Sequence, residues 1–175
     1  MTDQSLQEYL ELLKSKGWRV ELWGAATPPA LDASLTSRYP RIPADYLKFL
    51  QRVKVCENPD ETVWFLCIDD YNGTNQSEWS WSSMEEMDLD GEDDEMRRGE
   101  VVEFWNRHMP FMLSVGGEYA YLAFRVGEEP HGAVVEGWEI LTEPSERAKS
   151  FEEFVRLHSD AVQGNAGNNM LFDYV

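Results

Sequence analysis

The stretch EMDLDGEDDEMR, Glu86 to Arg97, packs seven carboxylates into twelve residues. The first chemistry it suggests is calcium ligation. Laid on the twelve-position EF-hand loop, Glu86, Asp88 and Asp90 fall at positions 1, 3 and 5, with Gly91 at position 6, where the turn requires glycine. Position 12, which should supply a bidentate Glu, is instead the cation Arg97. A longer Glu replaces Asp at position 1, and Asp93 stands at position 8, usually aliphatic. Alternating acids arise by composition alone in so acid-rich a stretch, so the reading is of no built calcium site. Weak divalent binding by the density of charge stays open as an alternative.

Other chemistry finds less footing. His108 precedes a proline by two residues, His131 lies in a turn and His158 near a helix end, with no second histidine at i+3 or i+4. HExxH and CxxC are both missing, which argues against zinc. Neither a G-x-S-x-G elbow nor a phosphate-cradling G-x-x-x-x-G-K-[ST] occurs. Carboxylates are too abundant for any one pair to stand out as a glycosidase couple. Catalysis therefore has no positive support, and no cofactor or metal is implied.

Binding is the better-supported chemistry. SEWSWSSMEEMDLDGEDDE sets Trp79 and Trp81 beside Glu85, Glu86, Asp88, Asp90, Glu92, Asp93, Asp94 and Glu95. Tryptophans flanked by acids suit a patch that docks on a basic protein: the rings bring buried area and the carboxylates bring steering. The alternative makes the two tryptophans core residues of an edge strand and the acids a solvated loop. The whole chain points the same way, with 33 acids against 15 bases and a net charge of −18. Such a protein repels nucleic acid and anionic membrane and is steered toward basic partners, although solubility alone also explains the excess.

The elements that must position these residues follow from periodicity. At 175 residues one domain is expected, large enough to bury roughly 70% of its unfolded surface. Leu6, Tyr9, Leu10 and Leu13 form a helical stripe over residues 3–16, stopped by Gly17. WRVELW alternates as a strand over 18–23, and a Pro- and Ser-containing connection with a short turn around Pro29–Ser34 follows. Pro43 is placed to open a helix that buries Tyr46, Leu47, Leu50 and Val53. Thr62–Asp69 is so continuously apolar that it reads as an inner strand. Asn72-Gly73 marks a turn, helix propensity appears at SSMEEM, lapses through the acidic segment and returns in GEVVEFWNRHM.

FMLSV, Gly116-Gly117 and EYAYLAFRV then read as a hairpin with a two-glycine turn, and AVVEGWEIL as the next strand. SFEEFVRLH closes the fold as a helix with Ser150 as N-cap, Glu153 three residues on, and Phe151, Phe154, Val155 and Leu157 inward. The domain is set at 1–160, with 161–175 a loose tail in which Met170, Leu171 and Phe172 are candidates to dock. Cys56 and Cys67 lack disulfide or metal spacing, Cys67 lying in an apolar run, the pattern of buried reduced thiols. With no signal peptide at MTDQSLQEYLELL and no run long enough to span a membrane, a soluble cytoplasmic protein is expected.

The order of these elements, with IPADYLKFL (Ile42–Leu50), PFMLSVGGEYAYLAFRV, AVVEGWEIL and AKSFEEFV (Ala148–Val155), resembles the SUKH superfamily, the cell-wall-regulator-like group rich in bacterial toxin-immunity proteins. The chain departs from that pattern in QRVKVCENPDET after the proline-led helix and in its short Gly-Gly turn. The resemblance implies an α+β single domain, a mostly antiparallel twisted sheet with helices packed on one side. It also implies a non-enzymatic protein that holds a cognate toxin inactive in the cytoplasm, and it supplies no catalytic residues. A basic toxin such as a nuclease is inferred from the charge. A divalent-metal-binding protein or enzyme built on the acidic loop, and a regulatory peptide-binding scaffold, are the alternatives.

Overall fold

A computed structural model describes residues 1–24, 27–75, 77–138, 143–165 and 174–175. Among these residues seven strands form one antiparallel meander in which each pairs with its neighbours in sequence. They are β1 (Arg19–Leu22), β2 (Val53–Glu57), β3 (Val63–Phe65), β4 (His108–Ser114), β5 (Ala120–Arg125), β6 (Val134–Trp138) and β7 (Ser145–Ala148). The helices are α1 (Asp3–Ser15), α2 (Ala33–Arg38), α3 (Ala44–Arg52), α4 (Ile68–Tyr71), α5 (Ser83–Asp90), α6 (Glu95–Arg107) and α7 (Phe151–Val162). This is the expected α+β class.

Side-chain alternation gives the sheet two faces. Phe65, Leu122 and Phe124 share one face, and α1, α3 and α7 cover it. Six of the eight phenylalanines, Phe49, Phe65, Phe111, Phe124, Phe151 and Phe154, meet there with Tyr46. Phe111 stacks on Phe124 at 4.2 Å between centroids, and Phe49 lies 4.9 Å from Phe65. Burial on this scale is the main stabilising term of the domain. α7 is capped much as the sequence suggests: Ser150 Oγ accepts from the Glu153 N–H, while Glu153 accepts from the Lys149 N–H.

His158 closes this core. Its ring sits between the Tyr9 hydroxyl and the Tyr174 carbonyl, each at 2.6 Å. A carbonyl only accepts, so Nε2–H donates to Tyr174 and Nδ1 accepts from Tyr9. Burial keeps the ring neutral and pushes its pKa down to about 4. Tyr174 is itself buried, and α7 runs to Val162. Met170, Leu171 and Phe172 lie outside the described residues.

The opposite face carries Trp64, Leu113 and Tyr121, which adjoin across β3, β4 and β5. α6 closes its β5 end, Trp105 and Phe104 packing on Tyr121 at 4.8 and 6.4 Å. Gly137 on β6 makes room for the Tyr121 ring: a Cβ there would stand 2.2 Å from the hydroxyl oxygen. The β1–β3 end of this face has no helix laid over it among the described residues.

Several local expectations shift. The inner strand ends at Phe65, because the Asp70 carboxylate reaches back to the Cys67 N–H at 2.7 Å and starts α4. β2 begins directly after α3, so Val53 opens a strand instead of ending a helix stripe. β7, a polar edge strand, was not expected. The short turn near Pro29–Ser34 is helix α2 slightly further on, capped by Asp32 through the Ser34 N–H at 2.7 Å and anchored by Leu35. Pro43 sits at the N-cap of α3, one position before the helix. The β4–β5 connection runs from Val115 to Tyr119, longer than a two-glycine turn. Its Val115 N–H bonds the Thr62 carbonyl, which extends the β3–β4 pairing in place of β4–β5.

Candidate functional site

The acidic segment is a helical corner. α5 runs on through Asp90 and α6 starts at Glu95, leaving only Gly91–Asp94 outside a helix. Two devices make the corner. Asp94 caps α6 by accepting from the Met96 and Arg97 N–H groups at 2.9 and 3.1 Å, with Glu95 favourably placed in the first turn. Arg98 folds back and donates to the Leu89 and Glu92 carbonyls at 2.6 and 2.9 Å, satisfying acceptors at the end of α5.

Helical geometry also disposes of the calcium register. Glu86, Asp88 and Asp90 lie on α5 two residues apart, so successive carboxylates leave the axis about 200° apart and cannot converge on one ion. Among the described residues, no three His, Cys, Asp or Glu side chains are gathered as a metal-binding group.

The ten residues expected at a partner face divide in two. Glu85 is turned inward and takes a bidentate bond from Arg38, Nη1 to Oε2 at 2.7 Å and Nη2 to Oε1 at 2.8 Å. The Arg38 guanidinium lies 5.4 Å from the Trp81 ring and 5.5 Å from that of Tyr39. Asp88 accepts from the Trp105 indole N–H at 3.0 Å. Trp79 packs edge-on against Trp64 and Tyr119 at 6.1 and 5.0 Å. Glu85 and Trp81 thus hold the segment to α2, Asp88 to α6 and Trp79 to the sheet, and the partly buried indoles belong to the fold's edge as much as to its surface.

Glu86, Asp90, Asp93, Asp94 and Glu95 remain exposed, while Glu92 is partly covered and pairs loosely with Arg97 at 3.8 Å. Glu86 accepts from the Ser82 hydroxyl at 2.6 Å. At the apex Met96 is 73% exposed, the most exposed large hydrophobic side chain among the described residues, and Val102 adds to the outer side of α6.

A second feature escaped the sequence reading. On the uncovered β1–β3 end lies a cleft of about 520 Å³. Trp64 and Trp79 wall it, with Asp70 and Asn75 on one side and Arg19 and Glu57 on the other. Asp70 Oδ2 accepts from the Cys67 N–H, and Asn75 holds Oδ1 at 2.5 Å. Burial pushes the Asp70 carboxyl up to about 6. The sequence signal was slight: a tryptophan inside an apolar run, and two acids at its end. Cys56, behind the cleft, and Cys67 are free and buried, their thiols pushed up by burial.

No described helix is long and apolar enough to cross a membrane. Comparison with protein-family models, curated proteins and solved structures returned no match. The SUKH resemblance therefore rests on the sequence features that suggested it.

Proposed function

We propose that this chain is a non-enzymatic protein-binding module of the SUKH kind, an immunity protein that neutralises a basic bacterial toxin in the cytoplasm. The supporting observation is the α5–α6 corner, where Asp90, Asp93, Asp94 and Glu95 stay exposed around the protruding Met96. Carboxylates so arranged steer a cationic surface into place, and an apolar side chain among them gives the encounter a point of purchase. On a nuclease they would occupy ground prepared for phosphates. Arg98 and the Asp94 cap hold the corner rigid, which lowers the ordering cost of binding.

The test is calorimetric titration with the protein encoded by the adjoining reading frame. Tight binding that weakens as salt rises is expected, and it should fall by about tenfold or more when Asp90, Asp93, Asp94 and Glu95 are all replaced by lysine. Binding indifferent both to salt and to that reversal defeats the proposal, as does the lack of any binding.

A further inference from the structure

The cleft beside Trp64 and Trp79 lies on the same face of the sheet as α6, and its chemistry is more specific than that of the acidic corner. Its cations are already engaged. Arg19 bonds Glu21 at 2.9 Å and Glu57 at 2.6 Å, and the Lys54 ammonium stands 5.6 Å from the Trp23 ring. Two of its acids are not: Asp70 and Glu61 have no ion pair among the described residues. A partly buried carboxylate beside two indole walls is suited to a cation that is flat, weakly hydrated and able to donate two hydrogen bonds.

The molecule contains one such arrangement already filled. Arg38 lies against Tyr39 and Trp81 while its two Nη atoms bond Glu85. Trp64, Trp79 and Asp70 repeat those components, and among the described residues the arginine that lines the cleft, Arg19, is paired with Glu21 and Glu57 and not with Asp70.

Resting on the protein-binding reading above, we propose that the cleft receives an arginine side chain of the basic partner, its guanidinium against the Trp64 and Trp79 rings and bonded to Asp70. Arrival of the cation favours the ionised carboxylate, so a proton is released when the side chain docks below about pH 6. The corner then steers the partner and the cleft fixes its register.

The test uses N-acetyl-arginine amide as probe and the citrulline analogue, its neutral counterpart, as control, read by NMR of the seven indole N–H signals. The arginine probe should move the Trp64 and Trp79 signals, with citrulline about tenfold weaker or more. Asp70→Asn should cost the arginine probe a similar factor and leave citrulline unchanged. Equal binding of the two probes to the unaltered protein, or shifts confined to other indoles, overturns the proposal whether or not the variant folds. A folded Asp70→Asn protein with undiminished arginine affinity overturns it too. If the basic partner binds with full affinity to the Asp70→Asn protein, the arginine anchor is lost and the immunity reading survives. Arginine selectivity in the cleft without any basic protein partner gives the opposite result.

Discussion

On one face of the sheet six phenylalanines and Tyr46 close against three helices, and the polar groups among them are bonded to one another. There Tyr46 bonds Tyr71, Tyr71 bonds the Pro110 carbonyl, and His158 bridges Tyr9 to Tyr174. On the other face the same strands are covered at one end by α6 and left open at the other, and charge reaches inward through Arg38, Glu85, Asp88 and Asp70. The first arrangement is mainly apolar burial, with a buried ion pair, Glu136–Arg147, at its β6–β7 edge. The second accepts partly buried ions and half-covered indoles, a costly way to build a stable core but a useful way to build a surface that discriminates. The difference places the main apolar burial on the phenylalanine face and, under the proposal above, recognition on the other.

Phe111→Ala should cut deepest, costing about 3–5 kcal/mol in urea denaturation, against about 1–2 kcal/mol for Trp79→Ala, which is only partly buried. Equal losses would erase the distinction between the faces. Gly137→Ala should cost about 1–3 kcal/mol, because the new Cβ meets the Tyr121 hydroxyl and ring within 2.2 and 2.4 Å. Arg38→Ala, which strands a buried carboxylate, should cost about 1–3 kcal/mol and perturb Trp81 fluorescence.

Acidity separates the faces by sign. His158 is depressed to about 4, so its contribution is whole above its unfolded value of 6.5 and is lost as pH falls through about 4. Asp70 is raised to about 6, so its contribution is whole below 3.8 and is lost as pH rises through about 6. Denaturation across pH 4–7 should therefore show the Asp70→Asn protein gaining stability on the wild type as pH rises. A constant difference between them across that range would remove Asp70 from the account. Smallest of all, lysines at Asp90, Asp93, Asp94 and Glu95 should change stability by about 0.5 kcal/mol or less per site, apart from the lost Asp94 cap at about 1 kcal/mol. That contrast with their large expected effect on partner binding is the sharpest separation of the two roles.

The apolar stripes of α1 and α7, the alternation of β5 and the α+β class were legible because each follows a local period. β2 was hidden because Val53 continues the i+3 spacing of α3 from Leu50, and only pairing with β1 and β3 shows where the helix stops. β7 was hidden because SERA is polar, an edge strand held mainly by backbone bonds to β6. At the candidate site the composition of the acidic segment was plain, but its two-sidedness was not. Glu85 and Glu86 are identical neighbours, and only the direction of α5 turns one toward Arg38 and the other toward water. The cleft depends on the register that sets Trp64 opposite Leu113 and on the course of the chain to Trp79, neither of which has a local signature.

The meander also bears on how the protein is made. Since each strand pairs with the one before it, a chain emerging from the ribosome can add β2 to β1 and continue in order, although the steps from β1 to β2 and from β3 to β4 must close the long helix-bearing connections of residues 23–52 and 66–107. The phenylalanine face cannot be sealed on that schedule. α7 follows the seven described strands in the chain and packs against α1 and α3, while the Met1 amino group lies near Asp45 and Glu152. Until Phe151 and Phe154 arrive, the growing sheet has its stickiest side only partly covered by α1 and α3, a window in which a chaperone or a premature stop would decide between folding and aggregation.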